Sequence, residues 1–185
     1  MKFKKNNSII IIMNEQINKS LSGREVLDLL DHKANLVQYS DVHRIPTIDV
    51  LLGPHKKCVL LYQTTHNYGH YVAVWEHNNI IFFSDSYGSK PDAQLNFVPH
   101  DMKTELNSNH NYLIRLLYNS GKPVEFNQYP LQSRDPQVTT CGRWCVNRLR
   151  FPEISIDEYH SIFKQSSKYI SNDELICLLD RKSTR

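Results

Sequence analysis

Residues 69–88 read Gly69-His70-Tyr71-Val72-Ala73-Val74-Trp75-Glu76-His77-Asn78-Asn79-Ile80-Ile81-Phe82-Phe83-Ser84-Asp85-Ser86-Tyr87-Gly88. β-branched and aromatic residues dominate 70–75 and 80–83, and a segment of turn composition, Glu76 to Asn79, separates them. The pattern predicts a β-hairpin. A two-residue turn at Asn78-Asn79 sets position 70 opposite 87, and a four-residue loop sets 70 opposite 85. Side chains alternate with period two, so in either register His70 and Asp85 share a face at the hairpin's open end. A three-residue loop would put them on opposite faces.

Further along, Thr139-Thr140-Cys141-Gly142-Arg143-Trp144-Cys145-Val146-Asn147-Arg148-Leu149 reads as a small polar turn leading into an amphipathic helix whose first turn presents Cys141. A helix N-terminus carries unpaired N–H groups and partial positive charge, which stabilise a thiolate. Gly142 permits close approach beside it. A cysteine alone is more often an inert core residue than a nucleophile, so the reading depends on what the rest of the chain supplies.

The chain has 185 residues, 40% hydrophobic and 22% charged, which predicts one globular domain, 1–185, with residues 1–20 as a flexible or docking N-terminal arm. The net charge of +3 is mild and spread along the chain apart from Lys2, Lys4 and Lys5. It is too diffuse to argue nucleic-acid binding. The apolar run after those lysines, Ile9 to Met13, is shorter than a signal-peptide core, and no stretch is long enough to span a bilayer. Cys58, Cys141, Cys145 and Cys177 form no Cys-x-x-Cys pair, which predicts a reducing, intracellular setting.

Around these two stretches the periodicity predicts further elements. Ile9 to Ile12 reads as a short strand or docking arm. Ser22-Gly23-Arg24-Glu25 has capping-box spacing before a helix over about 23–33. Residues 48–52 read as irregular, 58–62 as a buried strand, 91–100 as a loop, 107–118 as a helix and 123–126 as a strand. Ser155 and Ser171 each stand three residues before a glutamate and predict two final helices.

In chain order, then, the sequence offers His70, Asp85, a glutamine and Cys141. An imidazole beside a thiol yields a thiolate–imidazolium pair. A carboxylate fixes the imidazole tautomer, and a glutamine amide with the Cys141 backbone N–H can donate to an oxyanion. Cys145, one helical turn on, reads as helix packing rather than a redox partner, and Trp75 and Trp144 read as core. His66 and His70 have the spacing of a helical metal pair, but their segment looks extended, so no metal or cofactor is expected.

These residues resemble a known family. Gly69-His70-Tyr71-Val72-Ala73-Val74-Trp75, Phe83-Ser84-Asp85-Ser86-Tyr87-Gly88, Leu131-Gln132-Ser133 and Thr140-Cys141-Gly142-Arg143-Trp144-Cys145 are similar, in order, to blocks of the adenain-like cysteine proteases. That group holds the adenovirus maturation protease, its relatives in large DNA viruses, virophages and Polinton-type elements, and the SUMO-specific proteases. The resemblance implies an α+β fold, a central mostly antiparallel sheet with packed helices and the nucleophile at a helix N-terminus. It implies peptide hydrolysis with Cys141 as nucleophile, His70 as base, Asp85 as its orienter and Gln132 as an oxyanion donor.

The sequence departs from the family pattern at Tyr71, where tryptophan is common. Gln132 stands nine residues before Cys141 and Gln137 only four, so Gln137 is the alternative donor. The first sixty or so residues and the last thirty carry no family motif. The leading expectation is a viral maturation protease that cleaves capsid or core precursors near glycine or other small residues. Such an enzyme would be packaged in the virion, monomeric and off the membrane, with an activating peptide or DNA as a partner implied by the family. The alternatives are a deconjugating protease for SUMO- or ubiquitin-like proteins and, in a different class, a non-catalytic module binding tails or nucleic acid.

Overall fold

A computed structural model describes residues 15–66 and 68–180; the Ile9–Ile12 segment lies outside them. Helix α1 (Gly23–Leu29) begins at the expected capping box, where Ser22 Oγ accepts from the Glu25 N–H and the Glu25 carboxylate accepts from the Ser22 N–H. It stops short of residue 33 because Asp31 and His32 adopt left-handed φ of 51° and 55°, which turns the chain into strand β1 (Asn35–Gln38).

A 3-10 turn (Tyr39–Arg44) follows, then helix α2 (Ile48–Leu52). The second corrects the reading of 48–52 as irregular: Thr47 Oγ1 accepts from the Val50 N–H and caps a single buried turn too short for periodicity to show.

Strands β2 (Lys57–Thr65), β3 (Tyr68–His77) and β4 (Ile80–Ser84) form an antiparallel meander. Asn78 and Asn79 take φ of 50° and 63°, and His77 pairs with Ile80, so the hairpin has the two-residue turn. Near the other end, β2 bulges against β3. A Cβ on Gly69 would lie 1.9 Å from the Tyr62 carbonyl oxygen, so only glycine fits there.

Residues 91–100, expected as a loop, contain a 3-10 turn (Ala93–Phe97), and helix α3 (His100–Glu105) starts at their end. Helix α4 (Tyr112–Asn119), strand β5 (Val124–Phe126), and helices α5 (Cys141–Arg150), α6 (Ile156–Ser166) and α7 (Asn172–Leu179) complete the chain. The last two begin at Ser155 and Ser171 as predicted.

The architecture is α+β. Its sheet runs β1-β2-β3-β4-β5, antiparallel across the middle three strands and parallel at both edges. Alternation sorts the core by parity. Cys58, Leu60, Tyr62, Val72, Val74, Ile81 and Phe83 pack under α2 and α4. Val59, Ala73, Trp75 and Phe82 pack against α1 and α5 on the other face. Trp144 faces away from the sheet into Tyr159, Phe163 and Ile176 of α6 and α7. Helix α5 is therefore enclosed on both sides, and Gly142 to Leu149 are all buried. Trp75, Trp144 and Cys145 are core residues, as expected.

Candidate active site

The two-residue turn carries its register to the open end of the hairpin. Ala73 pairs with Ser84, so His70 stands opposite Tyr87 and Asp85 two positions away on the same face. The His70 ring stacks on Tyr87 with centroids 4.6 Å apart, and its Nε2 lies 2.8 Å from Asp85 Oδ1. With Nε2 engaged by Asp85, Nδ1 is the ring nitrogen left to act on Cys141, which lines the same cleft. Parity places His70 with Val72 and Val74, whereas α5 lies on the opposite face. The two elements meet where β4 has ended at Ser84.

Asp85 is wholly buried and fully engaged. Its Oδ1 also accepts the Tyr87 N–H at 2.8 Å, and Oδ2 accepts Gln94 Nε2 at 2.5 Å. The Asn127 amide grips the Asp85 backbone, accepting its N–H at 2.9 Å and donating to its carbonyl at 2.8 Å. Burial opposes the carboxylate charge, but the bonds from His70, Gln94 and the Tyr87 N–H outweigh it and hold the Asp85 pKa below its ordinary value. Burial likewise opposes a charged His70, and the hydrogen bonds to Asp85 and Cys141 overcome it, raising the imidazole to about 10.

Cys141 is the first residue of α5. Burial pushes its thiol up; the His70 bond and the N–H groups of Tyr71 and Gly142 pull it down further, leaving it below the ordinary thiol value. The Thr140 side chain does not cap the helix, so the N-terminal amides stay available. A Cβ on Gly142 would sit 3.3 Å from Leu21 Cβ and Val26 Cγ2, so the glycine lets α5 lie close against the start of α1.

The two glutamines separate clearly. Gln132 is buried, lines the same cleft as His70 and Cys141, and is pinned through Ser86 Oγ donating to its Oε1 at 2.7 Å. Its Nε2 donates to Val138 O at 3.2 Å and Tyr87 Oη at 3.3 Å. Gln137 is exposed in the following loop and does not line the cleft. The cleft has a volume of about 630 Å³ and runs from Ser20–Gly23 past Cys141 to Tyr68 and Phe97.

Sequence reasoning missed Gln94 and Asn127. Gln94 lies in the Ala93–Phe97 3-10 turn and Asn127 just past the end of β5, neither with a motif, and their roles come from tertiary contacts alone. His66 is exposed and faces Glu105, away from the His70–Asp85 pair. Among the described residues no group of three or more His, Cys, Asp or Glu side chains is placed to hold a metal ion.

Comparison with known proteins adds a relative. The uncharacterized protein V9 of Sputnik virophage is 35% identical over 164 residues, spanning 86% of this chain and 93% of that protein. The chain belongs to the family of this V9 protein. No family model matches it. A crystal structure of the ASFV pS273R protease is similar at a TM-score of 0.40 and 16% identity, over 78% of this chain and 57% of that one. In this V9-family chain no helix among the described residues is long and apolar enough to cross a membrane.

Proposed function

We propose that the chain is a cysteine endopeptidase of the adenain-like type, with Cys141 as nucleophile, His70 as acid–base and Asp85 as its orienter. The observation that carries this reading is the 2.8 Å Asp85–His70 hydrogen bond with His70 and Cys141 lining one cleft. This arrangement joins a buried, fully bonded carboxylate, an imidazole raised to about 10 and a thiol lowered at an open helix N-terminus beside a cleft.

In the proposed reaction the Cys141 thiolate attacks the scissile carbonyl carbon, and the carbonyl electrons move to oxygen. The Cys141 N–H and the Gln132 amide donate to that oxyanion. The 3.3 Å bond from Gln132 Nε2 to the Tyr87 hydroxyl is the weaker of its two and would yield to a charged acceptor. The tetrahedral species collapses as His70 delivers its Nδ1 proton to the leaving amine, which gives a thioester. Water, deprotonated by His70, then attacks the thioester, releases the acid and restores the thiol. No cofactor enters these steps.

The proposed substrates are capsid or core precursors of a virus or virophage, cut near glycine or other small residues. The enzyme would be an intracellular monomer packaged in the virion, off the membrane, with a peptide or DNA activator. The test incubates wild type and Cys141→Ala with virion precursor proteins. Processing by wild type alone is expected, and equal processing by both would overturn the assignment. A ubiquitin- or SUMO-derived vinyl sulfone that labels Cys141 efficiently would redirect the substrate to conjugates.

A further inference from the structure

Asp173 lies outside the relay, at the second position of α7, and is buried. Its Oδ1 accepts Thr140 Oγ1 at 2.5 Å and Trp144 Nε1 at 3.3 Å; its Oδ2 accepts the Ser133 N–H at 2.8 Å. Thr140 is the residue before the nucleophile, and Ser133 is the residue after Gln132. One carboxylate therefore holds both segments that supply the proposed oxyanion donors. Its neighbour Asn172 completes the grip, donating from Nδ2 to Leu131 O at 3.2 Å on the other side of Gln132.

Besides the brace, the only direct tie between these segments among the described residues is the 3.2 Å bond from Gln132 Nε2 to Val138 O, the bond of an amide that the proposed reaction turns to the oxyanion. From Ser133 to Thr140 the chain runs through Arg134, Asp135, Pro136 and Gln137, all exposed. Such a loop does not by itself fix the distance between the Gln132 amide and the Cys141 N–H. The hydroxyl of Thr140, in the position where a threonine ordinarily caps its own helix, is turned to Asp173 instead. The same bond thus leaves the α5 amides uncapped and ties the start of α5 to α7.

We propose that Asp173 is a positioning residue for the oxyanion hole, setting the Gln132 amide against the Cys141 N–H without touching substrate. The inference rests on the nucleophile assignment above. Its effect belongs to reactions that form an oxyanion, because none of its three bonds reaches His70, Asp85 or the sulfur.

Two reagents separate these demands. With p-nitrophenyl acetate the Cys141 thiolate forms an S–C bond through a tetrahedral oxyanion, the ester C–O bond breaks, and p-nitrophenolate leaves. With iodoacetamide the same thiolate displaces iodide at a saturated carbon and forms no oxyanion. Asp173→Asn keeps one acceptor oxygen, and its NH₂ either faces the Ser133 N–H and loses that bond or faces Thr140 and Trp144, where the hydroxyl can accept but the indole N–H is left unpaired, so either orientation weakens the brace at nearly constant shape. The ratio of acylation to alkylation rates at Cys141 is expected to fall about 10- to 100-fold, as a displaced donor costs, with the alkylation rate kept.

Thr140→Val, which cuts only the nucleophile side of the brace, is expected to lower the ratio in the same sense by a smaller factor. It carries the test should Asp173→Asn not fold. An unchanged ratio, or both rates falling together, would overturn the positioning role while leaving Cys141 as nucleophile. A wild-type Cys141 that reacts with neither reagent at neutral pH would instead overturn the nucleophile assignment and this proposal with it.

Discussion

Replacing Asp85 by asparagine tests the relay at its most enclosed point. The carboxylate accepts three hydrogen bonds: His70 Nε2 and the Tyr87 N–H on one oxygen, Gln94 Nε2 on the other. An asparagine that keeps its oxygen toward His70 and Tyr87 presents NH₂ to Gln94, and a flip of the Gln94 amide restores that bond. The tautomer of His70 and the packing are thereby kept, and what is lost is the charge. A hydrogen bond to a charged partner contributes about 1.5–3 kcal/mol, against roughly 1 for a neutral one. The difference, on the order of 1–2 kcal/mol, predicts an acylation rate lower by about 5- to 30-fold.

The sign of the pH effect follows from the same loss. Asp85 stabilises the imidazolium, so its neutral replacement lowers the His70 pKa from about 10. The alkaline limb of the rate profile, set by loss of the His70 proton, moves down by about one pH unit. The acid limb, set by thiolate formation, moves up because the cation facing Cys141 is less firmly held. The assay is the pH profile of precursor processing, whose amine leaving group needs the His70 proton, for the alkaline limb, with the rate of Cys141 alkylation by iodoacetamide, which needs only the thiolate, for the acid limb. A variant whose two limbs coincide with wild type would refute the claim that the buried carboxylate sustains the ion pair.

Other perturbations have distinct signatures. Gln132→Ala should reduce acylation by about 10²- to 10³-fold with little change in alkylation, whereas Gln137→Ala should leave both at wild-type rates. Gly142→Ala places a methyl 3.3 Å from Leu21 Cβ and Val26 Cγ2, and overpacking of this kind costs about 1–3 kcal/mol, read as a lower denaturation midpoint. Tyr62→Phe removes the hydroxyl that donates to buried Asp92 Oδ1 at 2.9 Å and accepts the Asp92 N–H at 3.1 Å; stability should fall by about 1–3 kcal/mol in urea unfolding. Because the His70 pKa is raised in the folded state, its contribution to stability is full below about pH 6.5 and lost as pH rises through about 10. Thermal melts of wild type should show this alkaline loss, and His70→Gln should lack it.

Local chemistry made the hairpin, the capped helices and the helix that begins at Cys141 legible. Ser22, Ser155 and Ser171 mark helix starts through their own side chains, and Asn78-Asn79 accept the left-handed φ that a two-residue hairpin turn requires. The pairing of His70 with Asp85 followed from strand parity. Strand β1 and the Tyr39–Arg44 turn were not legible, because a four-residue edge strand with no buried residue and a single 3-10 turn carry no period. Nor did sequence show the parallel edges of the sheet, which depend on where α2 and α4 return the chain. Gln94, Asn127 and Asp173 escaped notice for a related reason. Their partners are 9, 42 and 33 residues away in sequence, and nothing in their neighbours marks them. Spacing likewise did not show that Gln132 is buried beside the cleft and Gln137 exposed.

The turn at Asn78-Asn79 has a consequence for how this chain tolerates change. It lies eight residues from His70, about 26 Å along an extended strand. One residue inserted within β3 or β4 and propagated along the ladder would rotate the imidazole to the far side of the sheet from Asp85, with every local side chain intact. Two would restore it. Length variation among relatives of this chain should therefore appear at the hairpin tip only as a swelling of the loop, or in even steps along the strands. The arithmetic of the hairpin is as binding on the relay as the chemistry of its members.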